Sequence, residues 1–133
     1  MHEERAQSIV YVDRSRIRDG AVEELEKAIG DLVDFIDASE PQILAYSIYL
    51  SDDRSEMTVV HVHADAASLD YHMEVAGPAF RRFTHLVELL SIHVYGEPSQ
   101  KALEQLHAKA SMLGSGDVIV QPPRAGLSRL GRS

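Results

Sequence analysis

The chain has 133 residues, a formal net charge of −8 and no cysteine. This length is enough for one domain with a single core. The lack of cysteine excludes disulfides, thiolate nucleophiles and Cys-based zinc sites, and it fits a reducing compartment. The acidic balance argues against a nucleic-acid partner, since nonspecific binding relies on basic patches that neutralise phosphates.

The sequence also gives no sign of a membrane partner or of export. No apolar run approaches the roughly 18 residues that a membrane-spanning helix needs. The N-terminal stretch MHEERAQS is charged and polar, without the apolar segment of a secretory signal. We therefore expect a cytoplasmic protein. Residues 1–133 are predicted to form a single domain, with its core at 8–95, an extension at 96–122 and a basic tail at 123–133.

The first third of the chain predicts a strand, a long helix and a second strand. Residues 8–13 (SIVYVD) are β-branched and aromatic, which favours a strand. Residues 19–41 then carry apolar side chains at three- and four-residue steps and end at a proline, which is typical of an amphipathic helix. Residues 43–50 (ILAYSIYL) form the second strand, with Tyr46 on one face and Tyr49 on the other.

The middle of the chain predicts a hairpin, a broken helix and a fourth strand. A short polar turn leads into a third strand at residues 57–63. Asp65 is a good N-cap for the helix that follows. This helix breaks at 77–78 (Gly-Pro) and is predicted to resume over residues 79–90. Residues 91–95 (SIHVY) form the fourth strand.

The resulting order is βαββαβ, which is the ferredoxin-like arrangement of an α+β fold with an antiparallel sheet. Helices cover one face of such a sheet, and the other face here carries Val, Ile and Tyr side chains. That face would leave a large apolar patch exposed in a monomer, so we expect a homodimer. A further helix begins at Pro98-Ser99, with an apolar stripe of Leu103, Leu106, Ala110 and Leu113, and a short fifth strand covers residues 117–121.

Three of the seven histidines lie between Met57 and Phe80. Side chains alternate along a strand, so His61 and His63 point to the same face. The helical spacing of the following residues places His72 on the helix face that packs back onto the sheet. These three rings are therefore predicted to line a pocket.

The same stretch carries a family resemblance. A β-branched strand is followed by Asp-Ala-Ala-Ser-Leu-Asp-Tyr-His at 65–72 and by Gly-Pro-Ala-Phe at 77–80. This pattern resembles the antibiotic-biosynthesis monooxygenase-like group of the dimeric α+β barrel superfamily. The resemblance implies a homodimer with a pocket in each subunit, between sheet and helices. By position, His63 matches a pocket-facing aromatic at the end of the third strand, and His72 matches a helix histidine.

Characterised members of that group include oxygenases that use no metal or flavin, and others that degrade haem. The chain departs from the pattern because it has no tryptophan and because His61 stands where many relatives have an acidic residue. Phe83 occupies the place where the haem-degrading relatives have a haem-ligating histidine, and His85 is expected to point elsewhere. The resemblance therefore predicts a protein without haem.

The resemblance implies a cofactor-independent monooxygenase that acts on, or binds, a small aromatic or polyketide-like molecule. We expect His72 to be the catalytic base, because its unperturbed pKa lies near neutrality and it could take a proton from a phenol or enol. The predicted substrate-binding residues are His61, His63, Tyr49, His93 and Arg82. A ligand-binding or structural dimer without turnover remains the competing hypothesis.

A divalent metal is the alternative to a site without cofactors. Imidazoles at positions i and i+2 of a strand share a face, and imidazole suits Zn, Fe, Cu or Ni. His61 and His63, with His93 from the neighbouring strand or with His72, are the candidate ligands. An HxH pair without an acidic residue at ligand spacing is also typical of polar side chains that are hydrogen-bonded in a mixed core.

Overall fold

The computed structural model describes residues 8–127 and 129. The polar N-terminal segment and the end of the predicted tail lie outside the described residues. In chain order the elements are β1 (Ile9–Ile17), α1 (Val22–Ser39), β2 (Ala45–Leu50), β3 (Glu56–His63), α2 (Ala66–Ala76), a 3₁₀ segment (Gly77–His85), β4 (Val87–Tyr95), α3 (Gln100–Leu113) and β5 (Gly114–Gln121). None of the described helices is long and apolar enough to cross a bilayer.

The five strands form one sheet in the order β2-β3-β1-β4-β5. The first four pair in antiparallel fashion, as in the ferredoxin-like fold, and this confirms the predicted fold class. The added edge strand β5 runs parallel to β4, so the complete five-stranded sheet is mixed. The cause is the connection, because a strand–helix–strand crossover returns the chain in the same direction.

Two helix starts follow from local capping. The side chain of Asp65 accepts a hydrogen bond from the Ser68 backbone N–H at 2.9 Å, so α2 begins where the sequence predicts. Ser99 does the same for α3, where its Oγ accepts from the Ala102 N–H at 3.0 Å. Each cap satisfies a backbone donor that the first helical turn cannot satisfy.

The predicted helix over residues 79–90 is wrong. A 3₁₀ segment ends at His85, and residues 87–90 already belong to β4. Phe80 and Phe83 are buried at a spacing of three, which suits a 3₁₀ helix because side chains at i and i+3 eclipse. The strand prevails after His85 because β1 runs on to Ile17 and supplies backbone partners for the first residues of β4.

The helices pack on one face of the sheet, and the core lies between the two layers. Alternate residues of β1 are buried on this covered face. The open face carries the partly buried Val10, Val12 and Val60, together with Tyr49 and Tyr95, which are 57% and 42% exposed. The open face is therefore apolar beside the first half of β1, whereas the second half of β1 carries exposed arginines that form ion pairs with glutamates of β3 and β4.

The extension completes the covered face. The buried residues of α3 are Ala102, Leu106, Lys109, Ala110 and Leu113. The predicted stripe included Leu103, which is only partly buried, and omitted Lys109, whose residue exposure is 6%. The return strand approaches β4 closely, since a Cβ on Gly114 would lie 2.9 Å from the Leu89 carbonyl oxygen. The role of 96–122 as an extension within a single domain stays a prediction.

Candidate functional site

A small cavity lies between the covered face of the sheet and the helices. Its volume is about 30 Å³, and its lining includes Asp13, Tyr46, Phe80 and Lys109 together with apolar side chains. A cavity of this size has room for little more than one or two water molecules, so a larger ligand requires side chains to move.

Lys109 reaches this cavity from α3 and joins the helix to the central strand of the sheet. Its Nζ donates hydrogen bonds to the Tyr11 hydroxyl at 2.6 Å and to Asp13 Oδ2 at 3.0 Å. The same nitrogen lies 4.0 Å from the centroid of the Phe80 ring, which is a cation–π contact. The ammonium is thus paired with a carboxylate in a site that solvent hardly reaches.

The three histidines predicted to line a pocket lie together beside this pair. His61, His63 and His72 have no solvent exposure, and their ring centroids are 4.8 to 6.2 Å apart. The Tyr11 ring stacks on His61 at a centroid distance of 4.1 Å. The ring of Tyr46 meets His61 edge-on at 4.6 Å. The histidine rings are therefore packed against the aromatic rings of Tyr11 and Tyr46.

The rings of His63 and His72 are each fixed by a hydrogen bond at Nδ1. His72 Nδ1 lies 2.9 and 2.8 Å from the two carboxylate oxygens of Glu40, and both side chains are fully buried. His63 Nδ1 lies 2.7 Å from the hydroxyl oxygen of Ser68. The Nε2 atoms of both rings, and both ring nitrogens of His61, have no hydrogen-bond partner among the described residues. These four nitrogen atoms are buried, and the three histidines are not among the side chains that line the cavity.

The charge state of the cluster follows from burial. Burial lowers the pKa of His61 well below its usual value, and the Asp13 carboxylate, whose Oδ2 lies 3.8 Å from His61 Nε2, only partly opposes this. Burial, with a contribution from the charge of His72, lowers the pKa of His63 to about 3. For Asp13, burial raises the pKa, but Lys109 and His61 outweigh it and bring the pKa to about 2. At neutral pH the two histidines are neutral and Asp13 is ionised.

Three predicted substrate-binding residues lie elsewhere. Tyr49 is on the open face of the sheet and 57% exposed. His93 is on the open face too, since its neighbours Ile92 and Val94 are the buried residues of β4. Arg82 is exposed on the 3₁₀ segment and donates a hydrogen bond to Asp31 at 2.8 Å.

Strand register explains the misplacement of Tyr49. Tyr46 pairs with His61 across β2 and β3, so Tyr46 faces the histidines. Tyr49 lies three residues further and therefore points to the other side. The sheet also separates His93 from His61 and His63, so that predicted metal set is not assembled. Among the described residues, no group of three or more His, Asp or Glu side chains is placed to hold a metal ion.

The site contains residues that the sequence analysis did not select, namely Tyr11, Asp13, Glu40, Tyr46 and Lys109. A signal existed for two of them, because Tyr11 and Asp13 alternate with Ile9 along β1 and so share its buried face. Lys109 lies three residues after Leu106 in the stripe of α3, a position where a charged residue is unusual. Nothing in the sequence pairs Glu40 with His72, 32 residues further along the chain.

We predict that stability falls as the pH is lowered from about 6.5 to about 4. The folded-state pKa of His61 and of His63 lies below the unfolded value, so the unfolded chain binds more protons in this range. Each histidine contributes up to about 1.4 kcal/mol per pH unit to the slope of the free energy of unfolding.

Urea unfolding at several pH values measures this slope. His63→Asn, which retains a donor for Ser68, should reduce it, whereas exposed His107→Asn should not; an equal slope in all three proteins contradicts the account.

Comparison with known proteins supports the fold. No model of a known protein family matches the sequence, and no curated protein matches it. Among solved structures, MupZ from Pseudomonas fluorescens is similar at 15% identity and a TM-score of 0.70, over 92% of this chain and 95% of that one.

Two further structures match a smaller part of the chain. SnoaB, a cofactor-independent oxygenase from Streptomyces nogalater, is 16% identical, with a TM-score of 0.59 over 71% of this chain and 97% of SnoaB. A putative antibiotic biosynthesis monooxygenase from Bacteriodes thetaiotaomicron is 21% identical, with a TM-score of 0.51 over 62% of this chain and 85% of that one. The predicted resemblance is thus confirmed at the level of fold: the chain shares the α+β fold of these solved structures, which include a cofactor-independent oxygenase and a putative antibiotic biosynthesis monooxygenase.

Proposed function

We propose that this protein is a cofactor-independent, monooxygenase-like enzyme that removes a proton from a small aromatic or polyketide-like molecule. The observation that carries the proposal is the set of four unpartnered ring nitrogens on His61, His63 and His72, beside a cavity lined by Asp13 and Lys109. SnoaB, which has the same fold, is a cofactor-independent oxygenase and supports the reaction class.

The buried nitrogens favour a site over an inert core. A buried polar atom without a partner costs about 1–3 kcal/mol, so structural histidines are normally hydrogen-bonded. The bonds that do exist join His63 and His72 to side chains, and those side chains orient the rings. A ligand that brings hydroxyl or carbonyl groups to the free nitrogens would recover this cost.

His72 is the proposed base. The Glu40 carboxylate accepts a hydrogen bond only from a protonated Nδ1, and this assigns the lone pair of the neutral ring to Nε2. A carboxylate in this position orients the imidazole and stabilises the imidazolium that forms when Nε2 takes a proton. His61 and His63, which stay neutral, would add hydrogen-bonding groups without a competing positive charge.

The chemistry follows from proton removal. A phenol or enol that loses its proton to Nε2 becomes an electron-rich anion, which can pass an electron to dioxygen. Combination of the two resulting radicals forms a carbon–oxygen bond and gives a peroxide anion, with both oxygen atoms from O₂. This anion takes the proton back from the His72 imidazolium and becomes a hydroperoxide. Where the oxygenated carbon carries a hydrogen, loss of water from the hydroperoxide leaves a carbonyl group, and all atoms and electrons are accounted for.

A non-catalytic binding protein of the same fold is the second candidate. The observation in its favour is the cavity volume of about 30 Å³, which is small for an aromatic substrate. In that case the polar cluster would recognise a ligand without turning it over. The cytoplasmic location stays a prediction, which the lack of cysteine supports.

We infer a homodimer that buries the open face of the sheet. Val10, Val12 and Val60 lie in a row across β1 and β3 on this face, with Tyr49 and Tyr95 exposed nearby. An apolar surface of this kind is typical of an interface between subunits. The family resemblance of the sequence, which implies a homodimer, agrees with this inference.

Replacement of His72 tests the catalytic proposal. His72→Asn keeps a donor for Glu40 but removes the Nε2 base, so we expect turnover of a hydroxylated anthrone to fall about 10²- to 10⁴-fold. The measurement is oxygen consumption together with product formation, with the anthrone as the only organic substrate. An unchanged rate in His72→Asn contradicts the assignment of the base.

A second pair of variants separates folding from chemistry. Glu40→Gln keeps a hydrogen-bonding group beside Nδ1 and should lower the rate less than His72→Asn does. The exposed control His107→Asn should retain the full rate. If no substrate in a panel of anthrones and naphthols is consumed but several bind, the binding-protein alternative replaces the enzyme.

Disruption of the open face tests the dimer. Val60→Glu places a charge at the centre of the proposed interface, where burial of an unpaired carboxylate is costly. Light scattering is expected to give twice the chain mass of 14.8 kDa for the wild type and the mass of one chain for the variant. A monomeric wild type would overturn the inference.

A further inference from the structure

A second space opens beside the inner cavity, between α3 and the end of α2. This outer cleft has a volume of about 210 Å³ and opens to solvent. Its walls include Met73, Phe80, Gln105, Ala108, Lys109 and Met112. Methionine side chains are flexible and polarisable, so such walls adapt to flat apolar molecules.

Phe80 and Lys109 line both spaces, so they form the partition between the outer cleft and the inner cavity. The Phe80 ring also lies next to the proposed base, at 6.1 Å between its centroid and that of His72. A ligand ring that displaces Phe80 from the cleft side would therefore come between the imidazole of His72 and the ammonium of Lys109. The partition is the point where a substrate would meet both groups.

One N–H group of the Lys109 ammonium remains to donate a hydrogen bond to a ligand at this partition. An ammonium has three N–H donors, and the bonds to Tyr11 and Asp13 account for two. The Phe80 ring is the other close neighbour of Nζ. An oxygen that displaces the ring would replace a cation–π contact with a charge-assisted hydrogen bond, which is the stronger interaction when the oxygen is anionic.

The side chain of Gln105 is a separate observation that indicates a ligand-binding site. Its amide oxygen is buried in the wall of the cleft and has no hydrogen-bond partner among the described residues. A buried acceptor of this kind is suited to a hydroxyl donor on a bound molecule. The cleft thus offers apolar walls, one acceptor and one cation.

We propose that the outer cleft binds the body of the substrate, and that Lys109 holds the oxygen that becomes anionic when the substrate loses its proton. The ligand class is a flat aromatic molecule with an acidic phenol or enol and a second hydroxyl group. This inference rests on the proposed function, since it names the substrate class for the same site. Lys109 then favours the anion over the neutral molecule.

Two fluorescent probes that differ in charge test the cleft. The anionic 1-anilinonaphthalene-8-sulfonate and the neutral N-phenyl-1-naphthylamine share the same flat aromatic body. Ala108→Phe fills the cleft from an exposed position on α3 and should weaken binding of both probes at least tenfold. The matched control Ser111→Phe adds nearly the same bulk at an exposed position of α3 outside the cleft and should leave both affinities unchanged.

The double variant Lys109→Met with Asp13→Asn removes both charges of the buried pair, so neither is left unpaired. It should lose the preference for the anionic probe while keeping its affinity for the neutral probe within about twofold, because the apolar walls are intact. Equal weakening of both probes would overturn the role of Lys109. Unchanged binding to Ala108→Phe would overturn the cleft itself.

Two further outcomes separate this inference from the proposed function and from the open face. If Ala108→Phe weakens the probes but no substrate is turned over, the cleft stands and the proposed reaction fails. If Val60→Glu abolishes probe binding, the probes occupy the open face of the sheet, and the proposal is wrong.

Discussion

The buried ion pair between Lys109 and Asp13 is the interaction on which the site depends. It ties α3, which is additional to the ferredoxin-like core, to the central strand β1, and it places a cation between two spaces. A buried pair is costly to desolvate and strongly destabilising to break, typically by about 3–5 kcal/mol when one partner is removed. The bond to the Tyr11 hydroxyl and the contact with Phe80 offset part of that cost. The extension therefore takes part in the site and does more than cover the core.

The histidine cluster shows how a core can hold polar groups for chemistry. Glu40, just after α1, and Ser68, in α2, each fix one ring nitrogen, so two helices orient rings that β3 and α2 supply. Burial keeps His61 and His63 neutral by lowering their pKa values, whereas Asp13 stays ionised because Lys109 lies beside it. All three pKa values are lowered, for different physical reasons, and buried groups with strongly perturbed pKa values beside a cavity are candidates for a functional site. The cluster and the ion pair meet at Phe80, where a substrate would displace the ring.

The sequence was sufficient for most elements because periodicity and capping are local signals. The stripe of α1, the Asp65 cap and the shared face of His61 and His63 all follow from spacing along the chain. Tyr49 and His93 were misplaced because alternation along a strand shows which residues share a face but does not show which face the helices cover. Lys109 and Asp13 could not be paired from spacing, since 96 residues separate them. The local clues were the place of Asp13 on the same face of β1 as Ile9 and the interruption of the apolar stripe of α3 by Lys109.

The proposed function depends most on the position of the ring proton of His72: Glu40 holds it on Nδ1, so that the lone pair of the neutral imidazole is on Nε2. Nitrogen NMR of the histidine side chains tests this directly, because protonated and unprotonated ring nitrogens have clearly different shifts. For the neutral form of His72 in the protein without ligand, we predict a proton on Nδ1 and none on Nε2. We also predict a shift of that Nε2 signal when a phenolic ligand is added. A neutral ring with its proton on Nε2, or no response to any ligand that binds, would contradict the assignment of His72 as the base.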